Sequence, residues 1–209
     1  MVKLSLKELD EAFSNPTEYR EKLAKRRAEP PFYPPSYFLQ LTYAIFKFHD
    51  EDNDPVEGEI YLNEKLSNPK LTNESRKKAI REQYVWYVKD FMSKGIWHSD
   101  VRYNISFKPN EYLSLDLTLS GQIGRLDLNP NGYSVWMFRS KDPKDWIKEI
   151  RMPLIQDGLS KILNVSLNEV TIGIYSFEEK YIEEHNFSIK DVQISKMKLA
   201  ELLDKLGYV

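Results

Sequence analysis

Hydrophobic and polar residues alternate through several short runs in the second half of the chain. Tyr103, Ile105 and Phe107, for example, are separated by single polar residues. Side chains two residues apart on a strand point to the same face, so this spacing predicts strands with one buried face. Strands are predicted on this basis over 103–107, 113–119, 122–128, 133–139 and 170–175.

Apolar residues in the first half of the chain recur at helical spacing instead. Ser36 can cap a helix over the apolar run 37–48, because a serine oxygen accepts a hydrogen bond from the first helical turn. Asn73 can cap a longer helix in the same way, to about residue 94. The apolar stripe of that helix consists of Ile80, Tyr84, Tyr87, Val88 and Phe91.

Prolines and cap residues predict three further helices. Pro16 opens a helix through about residue 29, since a proline at the first helical position leaves no hydrogen bond unmade. A helix over 142–163 contains Pro153, which should kink it. Ser195 is predicted to cap the last helix, and its buried face consists of Leu199, Leu202, Leu203 and Leu206.

The acidic stretch 49–59 is predicted to be a solvated loop. Asp50, Asp52 and Asp54 have the spacing of the first ligands of a calcium loop. Pro55 stands where that loop needs a glycine, and Tyr61 stands where it needs a glutamate. A calcium site is therefore not expected here.

Composition limits the class of protein. The chain has 209 residues, of which 41% are hydrophobic and 30% charged, as in a globular protein large enough for a real core. It has no cysteine, which excludes disulfides and cysteine-ligated zinc or iron–sulfur centres. The longest apolar runs are too short for a membrane helix, and no export signal is recognised, so we expect a cytoplasmic protein without a membrane partner.

The order of elements from 121 to 155 resembles a known family. Residues 121–128 read Gly-Gln-Ile-Gly-Arg-Leu-Asp-Leu, and they are followed by a polar turn, a strand over 133–139 and a helix that contains 149–155. This order resembles the RecB-like exonucleases of the PD-(D/E)XK nuclease superfamily, which include CRISPR-associated members. The resemblance implies a restriction-endonuclease-like α/β core, with a central mixed β-sheet flanked by helices. We expect one domain over 1–209, with a mainly helical part at 1–98 and the nuclease-like core at 99–209.

The chemical positions of that family are substituted in this chain. Gly124 stands at the first metal-binding carboxylate of the family pattern. Met137 and Arg139 stand at its Asp-x-Lys motif, and Arg151 and Ile155 at its Gln-x-x-x-Tyr motif. The resemblance therefore implies a nuclease fold that has lost its catalytic residues.

The family reaction explains why these substitutions matter. Carboxylates hold Mg²⁺ or Mn²⁺, which polarises the phosphodiester and helps to generate hydroxide. Methionine offers no hard oxygen ligand, and arginine is effectively never a neutral base. We therefore expect no catalytic residues and no cofactor. The alternative is an active Mg²⁺- or Mn²⁺-dependent exonuclease with a rearranged site, for which Asp127, Asp116 and Glu82 are the available carboxylates.

Basic residues around the substituted positions indicate a nucleic-acid-binding role, although the net charge of −2 argues mildly against strong nonspecific binding. The alternative for each of them is a solvated surface charge or a salt bridge. The candidates in the core are Arg125, Arg139, Lys141 and Arg151, with Arg26 and Arg27 on an N-terminal helix.

The resemblance also suggests partners for such a noncutting protein. Single- or double-stranded DNA is the first, and a protein of a nuclease or replication assembly is the second. Relatives of this kind occur in archaeal viruses and mobile elements, and a viral origin would place the protein in the host cytoplasm. The residues themselves name no partner.

Overall fold

A computed structural model describes residues 2–28, 36–109, 117–141 and 144–208 of the chain. The strands are β1 (Val2–Ser5), β2 (His98–Val101), β3 (Asn104–Phe107), β4 (Leu117–Gln122), β5 (Arg125–Asn129), β6 (Gly132–Arg139), β7 (Val170–Ser176) and β8 (Tyr181–His185). The helices are α1 (Leu9–Ser14), α2 (Pro16–Ala28), α3 (Tyr37–Asp50), α4 (Pro55–Leu66), α5 (Glu74–Met92), α6 (Arg151–Leu163) and α7 (Ile189–Lys205). Short 3₁₀ turns cover Leu6–Glu8, Trp146–Lys148 and Leu167–Glu169.

The described strands form two sheets. The larger has five strands in the order β2-β5-β6-β7-β8, and it is mixed because β6 and β7 run parallel while the other neighbours are antiparallel. The smaller has three strands in the order β1-β4-β3, with β1 parallel to β4. The chain passes from the small sheet to the large one through Ile123 and Gly124.

Each face of the large sheet buries a hydrophobic cluster. On one face, Trp136, Tyr175 and Phe177 pack against the apolar sides of α3, α4 and α5. On the other face, Val135 and Ile172 pack against α6, α7 and the small sheet. A sheet buried on both faces explains why β7 is apolar almost throughout, without alternation.

The predicted starts of α3 and α5 are confirmed. The Ser36 side chain accepts a hydrogen bond from the Leu39 amide, and the Asn73 side chain accepts one from the Arg76 amide. The predicted stripe of α5 is buried at Ile80, Tyr84, Tyr87 and Phe91, whereas Val88 is partly buried.

One loop prediction is wrong, and two helix predictions are wrong in where the helix begins. The acidic stretch was expected to be a loop, but Asp54 caps α4 with Pro55 at its first position. The helix around Pro153 begins only at Arg151, so the proline lies in the first turn. Amide groups in the first turn have no hydrogen-bond partner within the helix, so a proline there removes no hydrogen bond and does not kink the helix. The last helix begins after Ser188, which forms a capping box with Asp191.

The strand predictions are confirmed for β3, β6 and β7 and corrected at β4, β5 and β1. The run predicted over 122–128 is divided, because β4 extends to Gln122 and β5 begins at Arg125 in the other sheet. The run predicted over 113–119 lies outside the described residues up to 116. Strand β1 was not predicted, because only its pairing with the distant β4 makes it a strand.

No helix within the described parts of the chain is long and apolar enough to cross a membrane.

Candidate functional site

All five positions that the resemblance aligns with catalytic residues line one cavity of about 410 Å³. It lies where the crossing between the two sheets, the end of β6 and the start of α6 meet one side of α3. The substituted positions on its wall are Gly124, Met137, Arg139, Arg151 and Ile155. The structure therefore brings together residues that the sequence could relate only through a resemblance.

Gly124 is closed in by its neighbours. Its amide donates a 3.0 Å hydrogen bond to the Trp136 carbonyl, which fixes it against β6. A Cβ atom built on Gly124 would stand 2.9 Å from the Phe138 ring and 2.9 Å from that same carbonyl oxygen. A carboxylate at this position would require Phe138 and the backbone to move.

The cavity wall offers no carboxylate among the residues that the structure describes there. Met137 and Ile155 present apolar side chains, and Phe38, Phe46 and Phe138 supply aromatic ones. Within the described ranges, no group of three histidine, aspartate or glutamate side chains is placed to hold a metal ion. Mg²⁺ or Mn²⁺ in a site of this kind would be held by carboxylate oxygens, so a wall without a described carboxylate does not fit such an ion.

The two arginines of the cavity are held by carboxylates just behind its wall. Glu149 accepts hydrogen bonds through one oxygen from Arg139 at 2.8 Å and from Arg151 at 2.5 and 2.7 Å. Asp10 lies 3.2 Å from the Arg151 Nε atom and also accepts a 2.7 Å bond from the Ile150 amide. Two arginines and two carboxylates balance in charge when all four are ionised.

Although the charges balance, two polar atoms of this cluster lack a hydrogen bond within the described parts of the chain. The Arg139 Nε and the Asp10 Oδ2 atoms are buried and have no hydrogen-bond partner among the described residues. Burial raises the pKa of Asp10, against the opposing effect of Arg151. Burial and the charge of Arg151 lower the pKa of Arg139. The cavity is therefore less positive than a count of its arginines suggests.

Arg125 does not line this cavity, contrary to expectation. Arg125 and Asp127 point to the same face of β5, into the α5 side of the sheet, where both are almost completely buried. Their ion pair has a 2.7 Å contact between the Arg125 Nη2 and Asp127 Oδ2 atoms. Asp127 also accepts bonds from the Ser99 hydroxyl at 2.5 Å and the Trp136 indole at 2.7 Å. Alternation along β5 explains the placement, since residues two apart share a face.

Aromatic rings enclose the guanidinium of Arg125. It donates to the Tyr87 hydroxyl and lies 4.9 Å from the centre of the Phe91 ring. Burial alone would lower the pKa of Arg125, but surrounding oxygen atoms, including those of Asp127, outweigh it and raise that pKa. His49 donates or accepts at the Tyr87 hydroxyl, 2.7 Å away, and burial with the charge of Arg125 lowers the pKa of His49 to about 3.

The three carboxylates of the rearranged-site alternative are not brought together. Asp127 is occupied by the buried ion pair and borders a different cavity, next to Lys94. Glu82 lies on the exposed side of α5, beside Val85 and Trp86. Asp116 lies outside the described residues.

The remaining predicted cations lie apart from the substituted cavity. Lys141 is exposed, 3.8 Å from Glu178, and it borders a neighbouring cavity. Arg26 and Arg27 belong to α2, but their side chains lie outside the described part of the structure. Nothing more follows for these two residues.

The sequence did not single out Glu149 or Asp10, which hold the arginines. Glu149 stands two residues before Arg151, just ahead of α6, so its proximity to one arginine was readable from the spacing. The approach of Asp10 was not readable, because α1 and α6 are distant in sequence and meet only through the core.

A mixed five-stranded sheet covered on both faces defines the fold class of this protein as α/β. No family model matches the chain, and no curated protein matches it. It is similar to the crystal structure of a candidate exonuclease from Eubacterium rectale, with a TM-score of 0.56 at 14% identity over 99% of this chain and 82% of the other. The structure of SSO0001 also aligns, with a TM-score of 0.35 at 14% identity over 92% of this chain and 86% of its own.

The predicted fold class is confirmed by this likeness and by the sheet topology. A similarity at 14% identity concerns the fold alone, because one fold hosts many functions. Activity and partners have to be argued from the site.

Proposed function

We propose that this chain is a nuclease-fold protein that binds nucleic acid without cutting it. The observation that carries the proposal is the shared cavity of Gly124, Met137, Arg139, Arg151 and Ile155. In a protein with the fold of a candidate exonuclease, this cavity is where a RecB-like site would lie, and the described residues of its wall include no carboxylate to hold a metal.

Two features support binding over cutting. Arginines keep positive charge at any physiological pH, so they can contact a phosphate but cannot accept a proton from water. The exposed cations Lys7 and Lys141 border this cavity and its neighbour, respectively, outside the ion-paired arginines. A phosphate backbone could therefore be held at the rim of the cavity while its centre lacks catalytic groups.

The competing function is a metal-dependent exonuclease with a rearranged site. Against it stands the placement of Asp127 and Glu82 on separate surfaces. Asp127 also has a structural task, since it compensates the buried charge of Arg125.

The test uses purified full-length protein with end-labelled single- and double-stranded DNA, in Mn²⁺ or in EDTA, and follows both mobility and length. We expect a mobility shift that weakens with salt, and no shortening in either buffer. Shortening that requires Mn²⁺ would overturn the proposal.

Loss of Mn²⁺-dependent cleavage in a variant of one candidate carboxylate would show that the cleavage belongs to this chain. Glu82→Gln suits this purpose because Glu82 is exposed and the fold does not depend on it. Asp127→Asn is less suitable, since loss of activity could follow from unfolding. A protein that neither shifts nor shortens DNA would not be a nucleic-acid binder, and a protein partner would then be the next candidate.

A further inference from the structure

A second cavity of about 670 Å³ lies beside the substituted one, and Phe38 borders both. Its walls come from the start of α3, the segment before α5, the first half of α5 and the end of β6. A volume of this size is in the range of pockets that enclose a small organic ligand. None of the substituted catalytic positions belongs to it.

Three cations border this second cavity, against one carboxylate. Lys70 and Arg76 form no ion pair with any acidic residue in the described ranges. Lys141 lies 3.8 Å from Glu178, whose other oxygen accepts a 2.7 Å hydrogen bond from Ser140. The cavity therefore has an excess of positive charge, in contrast to the balanced cluster around Glu149.

Two helices begin at this cavity, which adds to its positive potential. Tyr37 and Phe38 are the first residues of α3, and Arg76 lies in the first turn of α5. The amino end of a helix carries a partial positive charge and favours a nearby anion. Helices α3 and α5 have 14 and 19 residues, so the amino end of each contributes positive potential to the cavity.

An aromatic wall is held in place beside these cations. The Tyr37 hydroxyl accepts a 2.8 Å hydrogen bond from the Asn73 amide, and the Arg76 guanidinium lies 5.9 Å from the centre of the Tyr37 ring. The Phe38 ring lies 5.9 Å from that of Phe177. Rings fixed in this way need no reordering to contact a flat ligand.

Gln83 is the feature that indicates a ligand. Its side chain borders the cavity, the residue is only 7% exposed, and it forms no hydrogen bond with any described residue. Its amide atoms are not among the fully buried polar atoms that lack a partner, so they can be reached from the cavity and can bond with a group that enters it. An amide offers a donor and an acceptor side by side, which matches the edge of a nucleobase.

We infer that this cavity binds one unpaired nucleotide of a nucleic-acid strand. The base contacts the Gln83 amide and the Tyr37–Phe38 wall, and the phosphate of this nucleotide and those of its neighbours in the strand lie against Lys70, Arg76 and Lys141. Every base has an edge with adjacent donor and acceptor groups, so Gln83 defines a nucleobase as the ligand without selecting which one. The inference rests on the proposed function, since it names the subsite through which the strand is held.

The decisive variant is Gln83→Met, which removes the amide while keeping a side chain of similar length. Fluorescence anisotropy with a short labelled single-stranded oligonucleotide should show about tenfold weaker binding, as expected for loss of a base contact. Arg76→Gln should weaken binding of all sequences alike and lower its salt dependence. Lys190→Gln makes the same change of charge at an exposed lysine of α7 away from the cavity, and binding should be unchanged.

A second measurement uses the wild-type protein and small probes. Ligand-observed nuclear magnetic resonance should detect deoxynucleoside 5′-monophosphates, with saturation transfer to the base protons, and Gln83→Met should abolish that signal. Thermal unfolding followed by circular dichroism should show that Gln83→Met is folded. Inorganic phosphate that displaces the monophosphates at equal concentration would reduce the cavity to an anion site and overturn the assignment.

The two proposals fail in different ways. If the wild-type protein binds the oligonucleotide and Gln83→Met binds it equally well, the cavity assignment is wrong and the noncutting binder stands. If the wild-type protein binds no oligonucleotide, the noncutting binder is wrong. Detection of the monophosphates would then keep the cavity as a nucleotide site, and failure to detect them would end that assignment too.

Discussion

At the scale of single residues, the ion pair of Arg125 and Asp127 does more for the fold than for any reaction. Both side chains are buried, and Asp127 accepts hydrogen bonds from Arg125, Ser99 and Trp136. A buried charge is tolerated only when it is compensated and its hydrogen bonds are made. The same carboxylate that could have served as a metal ligand therefore stabilises the α5 side of the sheet.

Replacing Asp127 by asparagine should destabilise the protein strongly. The change leaves the Arg125 guanidinium buried without a counter-charge, which typically costs about 3–5 kcal/mol. Urea unfolding would measure the free energy of unfolding. Asp100→Asn is the control, because the Asp100 side chain is 51% exposed on the neighbouring strand β2 and its loss should cost little. Equal costs for the two variants would contradict the structural role of Asp127.

His49 should make the free energy of unfolding depend on pH. Burial and the charge of Arg125 lower the pKa of His49 from 6.5 to about 3 in the folded protein. In the unfolded chain the pKa returns to about 6.5, so the unfolded state binds an extra proton between these values. The stability supplied by neutral His49 is complete above pH 6.5 and is lost as pH falls towards 3, at up to ~1.4 kcal/mol per pH unit.

The contribution of His49 is separable from that of the carboxylates by a variant. His49→Gln keeps an amide that can reach Tyr87 but does not titrate. Urea unfolding at several values between pH 7.5 and 4.5 should give a shallower slope for His49→Gln than for the wild-type protein. Parallel slopes would mean that His49 is not held neutral in the fold.

At the scale of secondary-structure elements, the crossing between the two sheets determines what the substituted cavity can hold. Gly124 lies in this crossing, with the ring of Phe138 and the carbonyl of Trp136 both on strand β6 against it. Packing therefore leaves no room for a carboxylate side chain at this position. Introducing an aspartate here would require a rearranged β6.

Gly124→Ala should accordingly be destabilising. Its new Cβ atom would stand 2.9 Å from the Phe138 ring, and overpacking of this kind typically costs ~1–3 kcal/mol. Gly95→Ala is the matched control, because nothing lies within 4 Å of a Cβ atom there. Thermal unfolding of both variants compares the two costs. A second substitution, Phe138→Leu, should recover part of the loss at Gly124 if the ring is its cause.

The elements that were predictable from the sequence are those whose signals are local. Helices α3 and α5 begin at side-chain caps, and β6 follows a polar turn, so each could be placed from a few neighbouring residues. Strand β1 needed its distant partner β4, and no local pattern distinguishes it. Helix α4 has a local signal in Asp54 and Pro55, but the acidic run before it is equally typical of a solvated loop.

The candidate site divides in the same way. The five substituted positions could be selected only by the resemblance, because nothing local marks Gly124 or Ile155. Alternation along β5 places Arg125 and Asp127 on one face, but their burial depends on the helices that pack against that face. Gln83 gives no signal in the sequence, since its lack of a partner depends on how α5 lies against β6 and α3.

At the scale of the whole molecule, the distribution of charge matters more than its sum. The net charge is −2, and the arginines of the substituted cavity are matched by Glu149 and Asp10. Lys70, Arg76 and Lys141 carry the cationic excess of the neighbouring cavity. We therefore expect binding to involve few phosphates, in contrast to proteins that follow a backbone with a broad basic surface.

The salt dependence of binding tests this expectation. Single-stranded binding releases about 0.7 counterions for each phosphate contact, so three cations predict a slope of roughly −2 in a plot of log affinity against log salt concentration. Each of Lys70→Gln, Arg76→Gln and Lys141→Gln should make the slope shallower by about 0.7. A wild-type slope of about −4 or steeper would require a larger basic surface, such as one that includes α2 with Arg26 and Arg27. Affinity that does not change with salt would instead exclude phosphate contacts as the source of binding, because only released counterions link affinity to salt in this way.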